Sequence, residues 1–320
     1  MRRFLLLRGL QSLVVIAIMS FVIYALIGLM PGDPIDLMIS ANPNMTAADA
    51  AVLRELYGLD LPIYERYWNW VTAALQGDLG YSRLFGQPVL DVLFPALGNT
   101  IVLMGTAFTF AVLVAIPIGT LAASRPRSAV DYGINLFAFA GISIPSFWLA
   151  LMLIIIFSVF LGWLPAGGIA SAGAGFLEYI SYMVLPVLTI ATLSIGSYTR
   201  YTRSSMLETL RQDYIRTARA KGASKPRVVW KHALRNALIP VVTILALDFG
   251  FLFSGALVTE TIFSWPGMGK LIFDSVMGND FNLALVALLF ATALVLTANL
   301  LADICYALLD PRIVIGGGKA

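Results

Sequence analysis

Residues 200–235, RYTRSSMLETLRQDYIRTARAKGASKPRVVWKHALR, are the one long charged segment between apolar runs, and how they are read decides the fold. The segment carries ten basic residues, Arg200, Arg203, Arg211, Arg216, Arg219, Lys221, Lys225, Arg227, Lys231 and Arg235, against only Glu208 and Asp213. Lys and Arg collect on the cytoplasmic side of membrane proteins, so the segment is expected inside. Its local signals predict a helix, a break and a second helix. Asp213 is the expected N-cap of a helix over 214–221, and Gly222 is the expected C′ residue. Ser224 is expected to cap the next helix, with Pro226 in its first turn, where a missing N–H is no loss. On the first helix Tyr214, Ile215 and Ala218 share one face, and Arg216 and Arg219 point away from it. Composition alone leaves two readings open: a solvated basic loop that orients the chain and meets anionic headgroups, or a helix that docks on a partner.

Outward from this segment the chain is apolar. Of its 320 residues 59% are hydrophobic and 12% charged, and the mean hydropathy is +0.85, which excludes an ordinary soluble domain. The charge-free windows are long enough to cross a bilayer. They place spans near 9–32, 98–122, 134–160, 179–199, 237–259 and 283–307. Pro117 is expected to bend the second span and Pro186 to break the fourth. Pro145 and Pro240 are read as kinks or helix starts. With both termini inside, the cytoplasmic segments hold 17 Lys and Arg and the outer segments 4, as the positive-inside rule requires. The fold class is therefore all-α, a multi-pass membrane protein of six transmembrane helices with both termini cytoplasmic. The expected division is an N-terminal helix with its outer loop over 1–97, a transmembrane core over 98–310 with the basic loop at 200–236, and a short tail over 311–320.

The longest segment outside the spans, 31–97, has Arg54, Arg66 and Arg83 against eight acids and is expected outside. Within it Thr46 and Asp49 form a capping-box pattern for a short helix ending at Gly58, and Pro62 starts a second helix. On that helix Tyr64, Tyr67, Trp68, Val71 and Leu75 fall on one face. Residues 260–269 are expected to turn outside and lead into a short amphipathic helix containing Phe273 and Met277.

Little conventional chemistry is present. The only phosphate-loop candidates, Gly316-Gly-Gly-Lys319 and Gly269-Lys270, do not match G-x-x-x-x-G-K-[ST], so ATP is expected to be handled elsewhere. The sole cysteine, Cys305, and the sole histidine, His232, offer neither a disulfide nor a Ser/His/Asp arrangement. The basic residues lie at membrane edges and show no nucleic-acid motif. Two acids fall inside predicted spans, where burying a charge is costly. Asp248 is a candidate for a pathway group or for a hydrogen-bonded acid between helices, and Asp303 for helix packing or a gate. Alternatives from other classes are a proton-driven carrier using Asp248 and a membrane-anchored signalling or assembly subunit.

Asp213-Tyr-Ile-Arg-Thr-Ala-Arg-Ala-Lys-Gly222, followed by His232-Ala-Leu-Arg-Asn-Ala-Leu-Ile-Pro240, is similar to the EAA-type loop of ABC importer permeases. The motif's glycine is Gly222, and its leading Glu-Ala-Ala corresponds to Arg216-Thr217-Ala218, so the glutamate is absent. The likeness extends through Leu29-Met-Pro-Gly-Asp-Pro34, Gly77-Asp-Leu-Gly80, Ser143-Ile-Pro-Ser-Phe-Trp148, Leu161-Gly-Trp-Leu-Pro165, Phe263-Ser-Trp-Pro-Gly267 and Leu308-Leu-Asp-Pro-Arg312. Asp303 closes an Asn-Leu-Leu-x-Asp pattern of the same family. In order and spacing these resemble the first permease subunit of bacterial dipeptide, oligopeptide and nickel importers. The resemblance implies a type I importer (MetI-like) fold in the bacterial inner membrane and a heterodimer with a second permease. It also implies two ATPase subunits that hold ATP and Mg, a periplasmic substrate-binding protein, and no cofactor on this chain. Tyr214, Ile215, Arg216, Thr217, Ala218, Arg219, Ala220, Lys221 and Gly222 would form the coupling element. Peptides are the implied substrates, with nickel complexes or glutathione as alternatives.

Overall fold

The computed structural model describes residues 2–29, 61–171, 173–252 and 257–309. The capping-box helix expected before Gly58 and the Gly-rich tail lie outside them.

Apolar runs with few interior charges become long helices: α1 (Arg2–Ile27), α2 (Ile63–Leu75) and α3 (Val89–Ser124). They are followed by α4 (Ala129–Ser143), α5 (Ser146–Leu153) with a π-helical extension at Ile154–Phe160, α6 (Phe176–Thr209) and α7 (Asp213–Ala220). A short turn α8 (Lys225–Arg227), a π-helical segment Val228–Ala233 and α9 (Leu234–Leu252) form the next rod. α10 (Leu257–Ile262), α11 (Met268–Met277) and α12 (Phe281–Leu309) complete the fold. Five of the described helices are long and apolar enough to cross a membrane, and α4 with α5 makes a sixth crossing if the pair is one span.

That third crossing differs from the single span expected over 134–160. α4 and α5 meet at 100°, because Ile144 and Pro145 are both extended rather than helical. A residue before proline is driven out of the α region, and proline at a helix start loses no hydrogen bond. Pro145 therefore opens a helix, whereas Pro117, Pro186 and Pro240 lie inside α3, α6 and α9. The break expected at Pro186 is absent, and α6 runs through it without interruption. In α2 the expected aromatic face is also corrected: Tyr64, Trp68 and Leu75 stay exposed. Tyr67 and Trp70 make the contact with α1 through Tyr24, and Tyr67 also exchanges a hydrogen bond with Ser20.

α3 packed along α6 is the most extensive helix pair. Small residues set this close approach, since a Cβ on Gly119 would lie 2.7 Å from the Thr199 carbonyl and 2.8 Å from the Thr202 Cβ. On the other side of α6, a Cβ on Gly196 would lie 2.5 Å from the Ala138 carbonyl of α4. Without a hydrophobic drive between helices in lipid, such close packing is the main attraction. Ala111, Ala115, Ala191, Tyr198, Val241 and Leu245 continue the seam to α9.

At the end of the bundle remote from the basic loop, a buried carboxylate ties three elements together. Glu260 of α10 accepts from the Thr100 hydroxyl of α3 at 2.7 Å and from the Lys270 amide at the start of α11 at 3.1 Å. The Thr100 oxygen accepts from the Met268 amide at 2.7 Å. The carboxylate thus occupies the electropositive end of α11, where free N–H groups point outward. Burial pushes its acid strength down, raising the Glu260 pKa, while these donors pull the pKa back. Trp265, fully buried beside it, donates its indole N–H to the Asn99 carbonyl at 3.1 Å. Nearby, Asp280 accepts from the Ser82 hydroxyl at 2.5 Å and from the Leu84 amide at 2.9 Å, pinning the segment before α3 to the start of α12.

The α3–α6 crossing makes two glycines of α3 behave oppositely. Gly119→Ala is expected to cost about 1–3 kcal/mol by overpacking. Gly105, with open space around it, should accept alanine with no loss or a gain of up to ~1 kcal/mol. Heat-induced unfolding midpoints of the two purified variants in detergent check this, and equal midpoints would contradict the packing account.

Candidate functional site

The basic loop is held by one apolar anchor. Ile215 is the only buried side chain of α7, and it packs with Ala123 at the end of α3, Met206 of α6, Val228 and Ala233 of the π-helical segment, and Ala237 of α9. Burying such a side chain contributes about 1.5–3 kcal/mol. The rest of α7 remains outward. Tyr214, Arg216, Thr217, Arg219, Ala220 and Lys221 are exposed, and Ala218 is half-buried on the anchor side. The expected face of Tyr214, Ile215 and Ala218 is therefore divided, with Tyr214 left at the surface.

Both ends of α7 follow local backbone chemistry. Gln212, not Asp213, is the N-cap, and no side chain caps the helix. Asp213 instead stands in the first turn, where its charge favours the helix dipole, and it pairs with Arg216 at 3.2 Å on an open surface. An exposed pair of this kind contributes little. At the other end Gly222 has φ +82°, the left-handed conformation expected of a C′ glycine. Its amide donates to the Arg219 carbonyl at 2.9 Å, and the Ala223 amide donates to the Ala218 carbonyl at 3.1 Å. These two bonds are a Schellman motif, with Ala223 packed against the Ile215 cluster as its apolar contact. Ser224 is the N-cap of the following turn, yet its hydroxyl makes no capping bond. Pro226 lies in that turn as expected, and the chain through Trp230 takes the π-helical form.

The loop end of the bundle is locked by an ion pair that the sequence did not reveal. Arg203 of α6 binds Asp131 of α4 through two bonds, Nε to Oδ1 at 2.6 Å and an Nη to Oδ2 at 2.8 Å. Asp131, 2% exposed, also accepts from the Arg127 amide at 2.9 Å and the Asn135 amide group at 2.9 Å. Four donors leave the carboxylate fully satisfied, which is what makes a buried ion pair tolerable. Arg203 belongs to the basic segment, but nothing local marks Asp131, 72 residues away, as its partner.

Of the two acids expected within spans, Asp248 on α9 is half-buried and lies beside Tyr198 of α6. Tyr198 sits in the α3–α6–α9 seam, which sets Asp248 between helices. Asp303 lies on α12, and its side chain, like that of Cys305, falls outside the described residues. Among the described residues no group of three or more His, Cys, Asp or Glu could hold a metal. The structure thus gathers Tyr214 to Gly222 into one element, outward except for buried Ile215 and half-buried Ala218, sets Asp248 apart in the bundle, and adds Asp131 and Glu260 as structural acids.

The Asp131–Arg203 lock predicts a clear stability effect. Asp131→Ala leaves Arg203 without its acid and should cost about 3 kcal/mol. Adding Arg203→Gln to that variant should restore part of the loss, because the stranded cation is removed. Unfolding midpoints of the two single variants and the double variant check this, and simple additivity would contradict it.

Comparison with known proteins agrees with this architecture. Residues 115–315 match the family described as binding-protein-dependent transport system inner membrane component, and residues 1–103 match its N-terminal companion. The chain is 42% identical over 98% of its length, and 99% of the relative, to the oligopeptide transport system permease protein AppB of Bacillus subtilis. It is 39% identical to the di/tripeptide transport system permease protein DppB of Pseudomonas aeruginosa, over 91% of the chain and 92% of that protein. To the glutathione transport system permease protein GsiC of Escherichia coli it is 37% identical, over 92% and 94%. With several helices of bilayer-spanning length and most of its sequence matched, the chain belongs to the family of binding-protein-dependent transport system inner membrane components.

Proposed function

We propose that the chain is one of two permeases forming the pathway of a peptide importer and that α7 transmits ATP-driven movement from a separate ATPase to the helices. The observation that carries this reading is α7 itself, an exposed helix whose single buried side chain joins it to α3, α6 and α9 at once. A push on such an element moves three spans together, because packed cores transmit strain and do not absorb it. Peptides are the proposed substrates because relatives matched along nearly their whole length are named for oligopeptides and for di/tripeptides. Glutathione, named for another relative, is itself a small peptide and falls in the same class.

The proposed partners are a second permease, two ATPase subunits that hold ATP and Mg, and a substrate-binding protein on the outer face. This chain itself hydrolyses nothing and holds no cofactor. The proposed orientation puts both termini and the basic loop in the cytoplasm, supported by the excess of Lys and Arg on that side. The buried Glu260 network then lies at the outer end, next to where a binding protein would deliver its cargo.

A proton-driven carrier using Asp248 is the rival that experiment must separate. Asp248→Asn keeps the shape and a hydrogen-bonding oxygen beside Tyr198 while removing the charge, so uptake should be retained. Peptide uptake into vesicles of the whole transporter should require ATP and persist when an uncoupler collapses the proton gradient. Loss of uptake in both tests would favour the carrier. Gly222→Val places a β-branched side chain in a left-handed backbone position, which is strained whatever the space. It should leave membrane insertion intact while sharply lowering ATPase copurification and uptake, whereas Lys225→Gln should do neither. Normal copurification in Gly222→Val would remove the coupling role from α7.

A further inference from the structure

The outer face of α6 carries a site that neither the family match nor the coupling loop explains. A cavity of about 470 Å³ between α4 and α6 is lined by Asn135, Phe139, Ser197, Arg200, Tyr201, Arg203 and Ser204. Sharing Arg203 and Ser204, it continues into a second hollow bordered by Leu207, Glu208, Arg211 and Gln212. Together the two follow α6 for about 15 Å toward the basic loop. Three arginines line this groove and one acid, Glu208, opposes them. Arg203 is committed to Asp131, but Arg200 is exposed, lies 4.5 Å over the ring of Phe139, and has no carboxylate partner among the described residues.

The groove has an apolar continuation. Leu193, Ser197, Arg200 and Ser204 fall on one α6 face at i, i+4, i+7 and i+11 spacing, and Leu193 is half exposed. Across from it α4 presents Phe139, half exposed and part of the cavity lining. Cationic groups nearest the loop end thus lead into apolar side chains deeper in the span, the polarity order of a phospholipid. Tyr132 and Tyr201, both exposed at the same level, are residues favoured at the headgroup boundary.

We propose that this α4–α6 groove is a binding site for one anionic phospholipid, its phosphate held by Arg200, its headgroup drawn toward Arg211 at the loop end, and an acyl chain laid along Leu193 and Phe139. A basic pocket between membrane helices selects anionic headgroups by charge, and guanidinium groups match phosphate oxygens in pairs. The site reinforces the place where α4 crosses α6, next to the ion pair that locks those helices.

The test is lipid retained by the full-length chain, purified with its partner subunits from membranes and reconstituted with phosphatidylethanolamine, with or without phosphatidylglycerol. Bound phosphatidylglycerol is counted by mass spectrometry. Arg200→Gln and Arg211→Gln should each lower retention about fivefold, and Arg235→Gln, an equal charge change at an exposed position of α9, should leave it unchanged. Both target arginines are outside the Asp131 lock, and unchanged unfolding midpoints will show that the variants are folded. Excess inorganic phosphate should not displace the lipid, because it lacks the acyl contacts; displacement would make the groove a free-anion site and overturn the proposal. Equal retention in the Arg200→Gln/Arg211→Gln double variant and the parent would also overturn it. So would unchanged lipid with loss of the second permease on purification, which would make the groove a subunit interface.

Discussion

The architecture depends on burying Ile215 where the ends of α3, α6 and α9 converge. An eight-residue helix such as α7 is too short to be stable alone, since nucleation is costly and few hydrogen bonds repay it. It persists because Ile215 is withdrawn from solvent and the Schellman bonds at Gly222 satisfy its last carbonyls. The same anchor connects the most polar part of the chain to its most apolar part. Rigid attachment, not charge, is what would let the loop act on the spans.

The bundle beneath that anchor is built to move as packed bodies. Close crossings at Gly119 and Gly196 bring backbones together, and the Asp131–Arg203 pair clamps α4 to α6 at the loop end. At the other end Glu260 performs a similar task with Thr100 and the start of α11. Each end is therefore closed by a buried acid, Asp131 with four donors and Glu260 with the Thr100 hydroxyl and the Lys270 amide, and the apolar seam runs between them. Asp248 with Tyr198 adds one polar contact within that seam.

The spans and the loop were legible in the sequence because their signals are local. Charge-free windows report length, and Gly222 reports a left-handed turn whatever surrounds it. Asp213 departs from its local signal for a related reason: it has a capping side chain, but the backbone places Gln212 at the cap. The right-angle bend before Pro145 was hidden because a helix start and a kink share one residue type. Asp131, Glu260 and Asp280 were invisible as anchors, since their partners lie 72, 160 and 198 residues away and each acid looks locally like an ordinary loop charge. Tertiary pairing, not composition, gives them their role.

The central claim is that α7 is the surface the ATPase touches, and contact is measured most directly by cross-linking. In a Cys305→Ala background, Thr217→Cys and Arg219→Cys place thiols on the exposed face of α7, and Gln76→Cys places one at the opposite end of the bundle. With a short photoactivatable thiol reagent, the α7 positions should give covalent adducts with the ATPase subunit whose yield changes when ATP is added, and Gln76→Cys should give none. Adducts absent from both α7 positions in an assembled, transport-competent complex would contradict the account.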